Sequence, residues 1–222
     1  MMRVTVTDLF DLSHTIAAEY LLRFRDPWDA LGELGTCIEA LGAALPEEQY
    51  VSPAVGVWIH QSASVAPSAC LLPPCIVGAN SEIRHNAYVR GAVLIGEGCV
   101  VGNASELKNA ILFDGVQVPH YNYVGDSILG YRAHMGAGAI ASNVKGDRSP
   151  VVVHVAEGVA IPTGRKKLGA MLGDGAEIGC GSVLNPGTVI GRSSRVYPLT
   201  SVRGTLPPRS ILKRDGSMVP QQ

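Results

Sequence analysis

IHQSASVAPSACLLPPCIVGANSEIRHNAYVRGAVLIGEGCVVGNASEL, residues 59 to 107, places an aliphatic side chain at every sixth position: Ile59, Val65, Leu71, Val77, Ile83, Val89, Ile95, Val101 and Leu107. Chance delivers such an unbroken series less than roughly once in ten thousand trials. Four residues beyond most of these steps stands a small or compact side chain: Ala63, Ala69, Cys75, Ser81, Ala87, Val93, Cys99 and Ser105. An α-helix repeats about every 3.6 residues and a flat strand about every 2, so a period of six means one short strand and one turn. Three such units close a triangular coil, with large aliphatics inside the prism, small residues at its corners and charged residues outside. Glycine after the aliphatic, at Gly78, Gly96, Gly102, Gly173, Gly179 and Gly191, is expected to permit the sharp bend.

The period returns at Leu172, Ile178, Leu184, Ile190, Val196 and Val202, with Ala176, Ser182, Thr188, Ser194 and Thr200 four residues later. Between Leu107 and Met135 the spacing becomes five, six, six, five and six, through Leu112, Val118, Val124 and Leu129. In a strict repeat, local departures point to function, because regularity alone accounts for stability. From Val144 to Lys167 the repeat stops. Two β-prone runs around Glu157 and Gly158 predict an extruded loop or hairpin over about 144–167. Within it Arg165, Lys166 and Lys167 are either a phosphate clamp or a solvated face. The first 50 residues carry helix signals instead: Ser13 before HTIAAEYLLRF, and Asp26 with Pro27 opening WDALGELGTCIEALGAAL. Two helices are expected, closing the open end of the prism or packing on a neighbouring subunit. The fold predicted is all-β with a helical appendage. A left-handed parallel β-helix of hexapeptide repeats over 51–215 follows an N-terminal α-helical cap over 1–50.

Composition narrows the function. The 222 residues carry a formal net charge of -1 and are only 17% charged, so no basic field exists to hold nucleic acid or an acidic membrane. The start lacks a basic, apolar, small-residue leader, and no run of about 18 apolar residues occurs, so a soluble, unexported chain is expected. Cys37, Cys70, Cys75, Cys99 and Cys180 are odd in number and lack CxxC spacing. Reduced thiols and a cytoplasmic location follow.

Residues 100 to 143, VVGNASELKNAILFDGVQVPHYNYVGDSILGYRAHMGAGAIASN, combine Arg90 just upstream with Glu106 and Lys108 in VGNxxExKN. They continue with His120, Tyr123, Gly125 and Asp126 in HxxYxGD, then GAG at 136 to 138 and Asn143. In order and spacing this resembles the acetyltransferase domain of the bifunctional bacterial enzyme that acetylates glucosamine-1-phosphate and then makes UDP-N-acetylglucosamine. The resemblance implies acetyl-CoA as co-substrate, a homotrimer and a site between subunits. An amino-sugar ammonium must lose a proton before its nitrogen attacks a thioester, and a neutral imidazole can accept it; His120 is the expected general base. Arg90 and Lys108 are expected to hold the sugar phosphate, with Tyr123 donating to it. On the same carry-over Asn143 contacts the sugar, Ala137 offers a backbone contact near the thioester and Cys180 occupies a serine position in the CoA groove. His134 stands where the family has Asn, and Val144 where it has Tyr, so the sugar pocket differs. The resemblance does not reach the family's nucleotidyltransferase domain, and uridylyl transfer is not expected.

Two other functional classes are compatible with such a prism. The same prism supports zinc carbonic anhydrases, but beyond His85 and His120 no third histidine lies at the required spacing, and no metal is expected. A non-catalytic relative that binds a sugar nucleotide or serves assembly is the alternative reading, since a fold does not fix a function.

Overall fold

The structure is a computed structural model that describes residues 4–156 and 158–221. Its repeats form a left-handed parallel β-helix with three faces. Face 1 stacks Val57–His60, Cys75–Val77, Val93–Ile95, the far halves of Glu106–Leu112 and Tyr123–Leu129, then Ala170–Leu172, Thr188–Ile190 and Thr205–Leu206. Face 2 runs from Ser64–Val65 through Val100–Asn103, Gln117–His120, His134–Met135 and Glu177–Ile178 to Ser210–Leu212. Face 3 runs from Cys70–Leu71 through Tyr88–Val89, the near halves of the two long strands, Ile140–Ala141 and Val183–Leu184 to Ser201–Val202. Antiparallel pairings finish the stack, Tyr50–Ala54 on Val57–His60 at one end and Met218–Pro220 on Ser210–Leu212 at the other.

The six-residue period is the internal wall. From Val77 to Val202 the periodic aliphatics fill the prism at 3% exposure or less. The corner hydroxyls stitch consecutive coils: Ser81 Oγ donates to Gly96 O at 2.7 Å and accepts from Cys99 N at 2.9 Å, and Ser182 repeats the device with Tyr197 O and Thr200 N. Such bonds contribute about 1 kcal/mol each. The glycines after the aliphatics act differently from expectation. None of the six adopts a left-handed conformation; instead a Cβ at Gly102 would come within 1.5 Å of Pro119 O, and one at Gly179 within 2.3 Å of Pro198 N. They are required by the close approach of the next coil, while the left-handed bend falls two residues later, at Asn80, Gly98, Ala104 or Gly181.

All departures from the period lie at the corner between faces 3 and 1. There Glu106–Leu112 and Tyr123–Leu129 run on as single strands, bending through left-handed Asn109 (φ 50) and Asp126 (φ 48). This saves one residue per coil and accounts for the spacing of five. One coil on, the chain leaves the same corner after Asn143 and returns at Leu168, whose N–H donates to Asn143 O at 3.0 Å. The excursion forms the expected hairpin, Val152–Ala156 on Val159–Pro162. Glu157 lies outside the described residues.

The N-terminal segment is more broken than two helices. It comprises Val6–Leu9, Leu12–His14, Ala18–Leu21, Pro27–Gly32 and Leu34–Ala43, the second and fourth being 3-10 turns. Thr5 and Asp8 close a capping box on the first, Asp11 rather than Ser13 caps the second, and Asp26 and Pro27 open the fourth. The segment lies along face 1 rather than over an open end. Leu34–Ala43 packs on Cys75–Val77, Val93–Ile95 and Glu106–Leu112, and Pro27–Gly32 packs on Tyr123–Leu129. Phe10 meets Phe113 at 5.1 Å. The hairpin covers Thr188–Ile190 and Thr205–Leu206 further along the same face. This explains the apolar runs of face 1: Ile76, Leu94, Ile111, Ile128, Met171 and Val189 point outward yet are at most 1% exposed. Each such burial contributes about 1.5 to 3 kcal/mol. No helix among the described residues is long and apolar enough to cross a membrane.

Burial pushes the Cys75 and Cys99 thiols up to about 12. Each folded thiol then holds its proton to higher pH than the unfolded one, so this contribution to stability is complete below the unfolded thiol pKa near 9 and is lost as pH rises toward 12. The melting temperature is expected to fall between those limits, and less steeply in a Cys75→Ala/Cys99→Ala double variant. Equal slopes for the two proteins would contradict this. Ellman's reagent should label Cys70 and Cys180, which are exposed, well before Cys75 and Cys99.

Candidate active site

The shortened corner gathers polar side chains that the sequence spreads over 54 positions, from Arg90 to Asn143. Parallel pairing sets Glu106 beside Tyr123 and Lys108 beside Gly125. Alternation sends Leu107 and Val124 into the core, so Glu106 and Tyr123 face outward. Arg90 Nη1 donates to Glu106 Oε1 at 2.7 Å. Lys108 Nζ lies 3.3 Å from Asp126 Oδ1, and Asn109 Nδ2 donates to the same oxygen at 2.8 Å. Asn143 Nδ2 donates to Asp126 Oδ2 at 2.5 Å and to the Tyr123 hydroxyl at 3.1 Å. Asp126 is 4% exposed, and a carboxylate so buried requires this number of donors.

Arg90, Lys108, Tyr123 and Asn143 therefore share one corner. Their cations are not free: Glu106 neutralises Arg90 and Asp126 neutralises Lys108. Burial raises the Tyr123 hydroxyl above its ordinary pKa, the Asn143 bond opposes this, and the Asp126 carboxylate adds to the rise. The phenol thus stays protonated at neutral pH and, with its oxygen accepting from Asn143, has its own proton to donate.

His120, Ala137 and Cys180 assemble on the other edge of face 3. Gly138 N donates to His120 O at 2.9 Å and Gly181 N to Ala137 O at 2.8 Å, so the three stack in successive coils. His120 and Cys180 are exposed, and the His120 ring has no hydrogen-bond partner among the described residues. Face 3 separates this edge from the basic corner, and Tyr123 lies on the face between them.

His134 stands apart from both groups. It opens its face 2 strand at the corner with face 1, where Nδ1 pairs with Glu177 Oε2 at 2.9 Å. A groove of about 630 Å³ runs beside it, lined by Glu97, Asp114, Gln117, Tyr131, Arg132 and Glu177. Arg165 also departs from the clamp reading, since its guanidinium donates to Asp29 O at 3.2 Å, whereas Lys166 and Lys167 are exposed. No group of three or more His, Cys, Asp or Glu side chains among the described residues is placed to hold a metal.

The motifs VGNxxExKN and HxxYxGD end on Asn109 and Asp126 but assign neither a role in the site. The signal was available: both occupy the same step of a five-residue spacing, and Asn and Asp are the non-glycine residues that best tolerate the left-handed region. If the Asp126 carboxylate organises the corner, Asp126→Gly, which the left-handed backbone accepts, should cost about 2 to 3 kcal/mol in urea unfolding, since three donors lose their acceptor. An unchanged midpoint would remove that role.

The family described as the GMPPB C-terminal domain matches residues 71–165. The chain is 35% identical over 113 residues to a bifunctional sugar-1-phosphate nucleotidylyltransferase/acetyltransferase of Sulfurisphaera tokodaii, covering 51% of this chain and 28% of that protein. It is 33% identical over 174 residues to the bifunctional protein GlmU of Methanococcus maripaludis, covering 77% and 41%. A putative uncharacterized acetyltransferase of Escherichia coli, YaiX, is 30% identical over 150 residues, covering 60% of this chain and 65% of YaiX. The chain thus spans well under half the length of the first two relatives. Among solved structures, a putative acetyltransferase of Bacillus cereus aligns with a TM-score of 0.42 and 19% identity over 74% of this chain and 77% of that one. The acetyltransferase domain of PglB from Neisseria gonorrhoeae, in complex with acetyl coenzyme A, aligns with a TM-score of 0.34 and 18% identity over 74% and 57%. In sequence, the repeat region is related to the GMPPB C-terminal domain and to the GlmU-type bifunctional proteins, the relationship that the motifs from Arg90 to Asn143 imply.

Proposed function

We propose that the chain is an acetyl-CoA-dependent N-acetyltransferase acting on an amino-sugar phosphate, glucosamine-1-phosphate or a close relative. The observation that carries this reading is the arrangement about face 3, with an exposed histidine edge on one side and a corner of Arg90, Lys108, Tyr123 and Asn143 on the other. The relatives named as acetyltransferases support it. His120 takes a proton from the sugar ammonium, the freed nitrogen bonds to the acetyl carbon, and as the carbon–sulfur bond breaks the second proton that the nitrogen sheds on becoming an amide passes to the sulfur, which leaves as a thiol. Ala137, whose N–H has no acceptor among the described residues, is suited to the developing oxyanion, and Cys180 is a small groove residue beside it. Arg90 and Lys108 hold the phosphate by exchanging their carboxylate partners for it. His134, remote from this corner in one chain, contacts sugar only if a neighbouring copy brings it there. A homotrimer with the site between subunits therefore belongs to the proposal.

Thiol release from acetyl-CoA should be detected with amino-sugar 1-phosphates in a panel that includes unphosphorylated sugars and nucleotide sugars. His120→Ala is expected to lower kcat by about two to four orders of magnitude, and a near-native rate would reject it as the base. Lys108→Ala should raise the acceptor KM by about tenfold or more with a smaller loss of kcat; an unaltered KM removes Lys108 from the site. Light scattering should give three times the chain mass of 23.3 kDa, and a monomer mass would contradict the shared site. Silence across the panel would instead favour a sugar-nucleotide-binding or assembly module.

A further inference from the structure

We infer that Asn109 is a positioning residue through which the N-terminal segment holds the substrate corner in register. This rests on the acetyl-transfer reading of that corner and adds a role for residues outside the repeat. Asn109 Nδ2 has two hydrogens, and both are used: one reaches Asp126 Oδ1 at 2.8 Å and the other the backbone oxygen of Leu31 at 3.3 Å. Leu31 is 3% exposed and lies at the end of the 3-10 turn Pro27–Gly32, where backbone carbonyls lack partners within the turn. A buried carbonyl left without a donor is costly, so the contact orders both ends.

The same turn is held from its other side. Arg165, at the base of the excursion, donates to Asp29 O at 3.2 Å, and its own carbonyl accepts from Val151 N at 2.7 Å. The returning chain then bonds back to the corner: Leu168 N to Asn143 O at 3.0 Å and Gly169 N to Asp126 O at 2.9 Å. Pro27–Gly32 is thus a bridge between Asn109, which orients the Asp126 side chain, and the strand return that fixes the Asp126 and Asn143 backbones. Asp126 in turn sets Lys108, and Asn143 sets the Tyr123 hydroxyl. The Asn109 side chain itself faces Asp126 and Leu31, so its effect on substrate is exerted through Lys108 and Asn143.

The test is Asn109→Gly in the full chain, glycine being chosen because the position has φ 50, where alanine would add backbone strain and aspartate would set a second carboxylate against Asp126. Two readouts are taken. Amide hydrogen exchange should accelerate both at residues 28–33 and at 141–143 with 168–169. The KM for glucosamine-1-phosphate should rise about tenfold, as for one hydrogen bond to a charged group, with the KM for acetyl-CoA within about twofold. Exchange that accelerates at one segment alone, or an acceptor KM that does not move, overturns the inference. A wild-type chain that acetylates no amino sugar overturns the acetyl-transfer reading instead; the linkage is then judged by exchange, concerted acceleration supporting it and acceleration at one segment rejecting it.

Discussion

Each coil of this molecule must close a triangle around a core one side chain wide and deliver the backbone to the next coil at strand spacing, about 4.8 Å. That constraint accounts for the aliphatic wall, for the hydroxyls that link corner to corner, and for glycine at Gly78, Gly96 and Gly102, where a Cβ would strike the neighbouring backbone. Two of the three corners obey it without exception from Cys75 onward. The third, between faces 3 and 1, is where the chain shortens a coil, inserts 24 residues between Asn143 and Leu168, or turns through Gly204. Variation is confined to one edge because the other two are needed for register.

A corner that drops one residue must bend two strands through left-handed backbone, and Asn109 and Asp126 accept this conformation. In doing so they set the Asp126 carboxylate against Lys108 and Asn143, with the Asn109 amide donating to it. The polar cluster is a product of the same shortening that breaks the repeat. Its charges cancel in pairs, Arg90 with Glu106 and Lys108 with Asp126, which keeps the cations extended and ordered without leaving a positive field on the surface.

Face 1 shows how far the non-repeat parts serve the repeat. Ile76, Leu94, Ile111, Ile128, Met171 and Val189 make its outer surface as apolar as its inner one, and the N-terminal segment with the hairpin keeps that surface from water. Faces 2 and 3 present Gln117, His134 and Glu177, or Glu106 and Tyr123, and remain open. The helical pieces are short, and Leu21, Trp28, Leu34 and Ile38 anchor them by burial.

The period of six, its two irregular steps and the interruption at Val144 were all legible in the linear sequence, since each inward aliphatic is dictated by the coil it closes and owes nothing to distant contacts. The motifs from Arg90 to Asn143 likewise named Arg90, Lys108, Tyr123 and Asn143 of the corner and His120 of the other edge, but gave Asn109 and Asp126 no role. Tertiary structure alone decided that all the irregular steps share one corner, that His134 pairs with Glu177 away from Lys108, and that Arg165 binds a backbone carbonyl. It also decided that the N-terminal segment lies on face 1. These depend on which coil sits beside which face, and a one-dimensional repeat, identical from coil to coil, carries no record of the direction in which a corner side chain finds its partner.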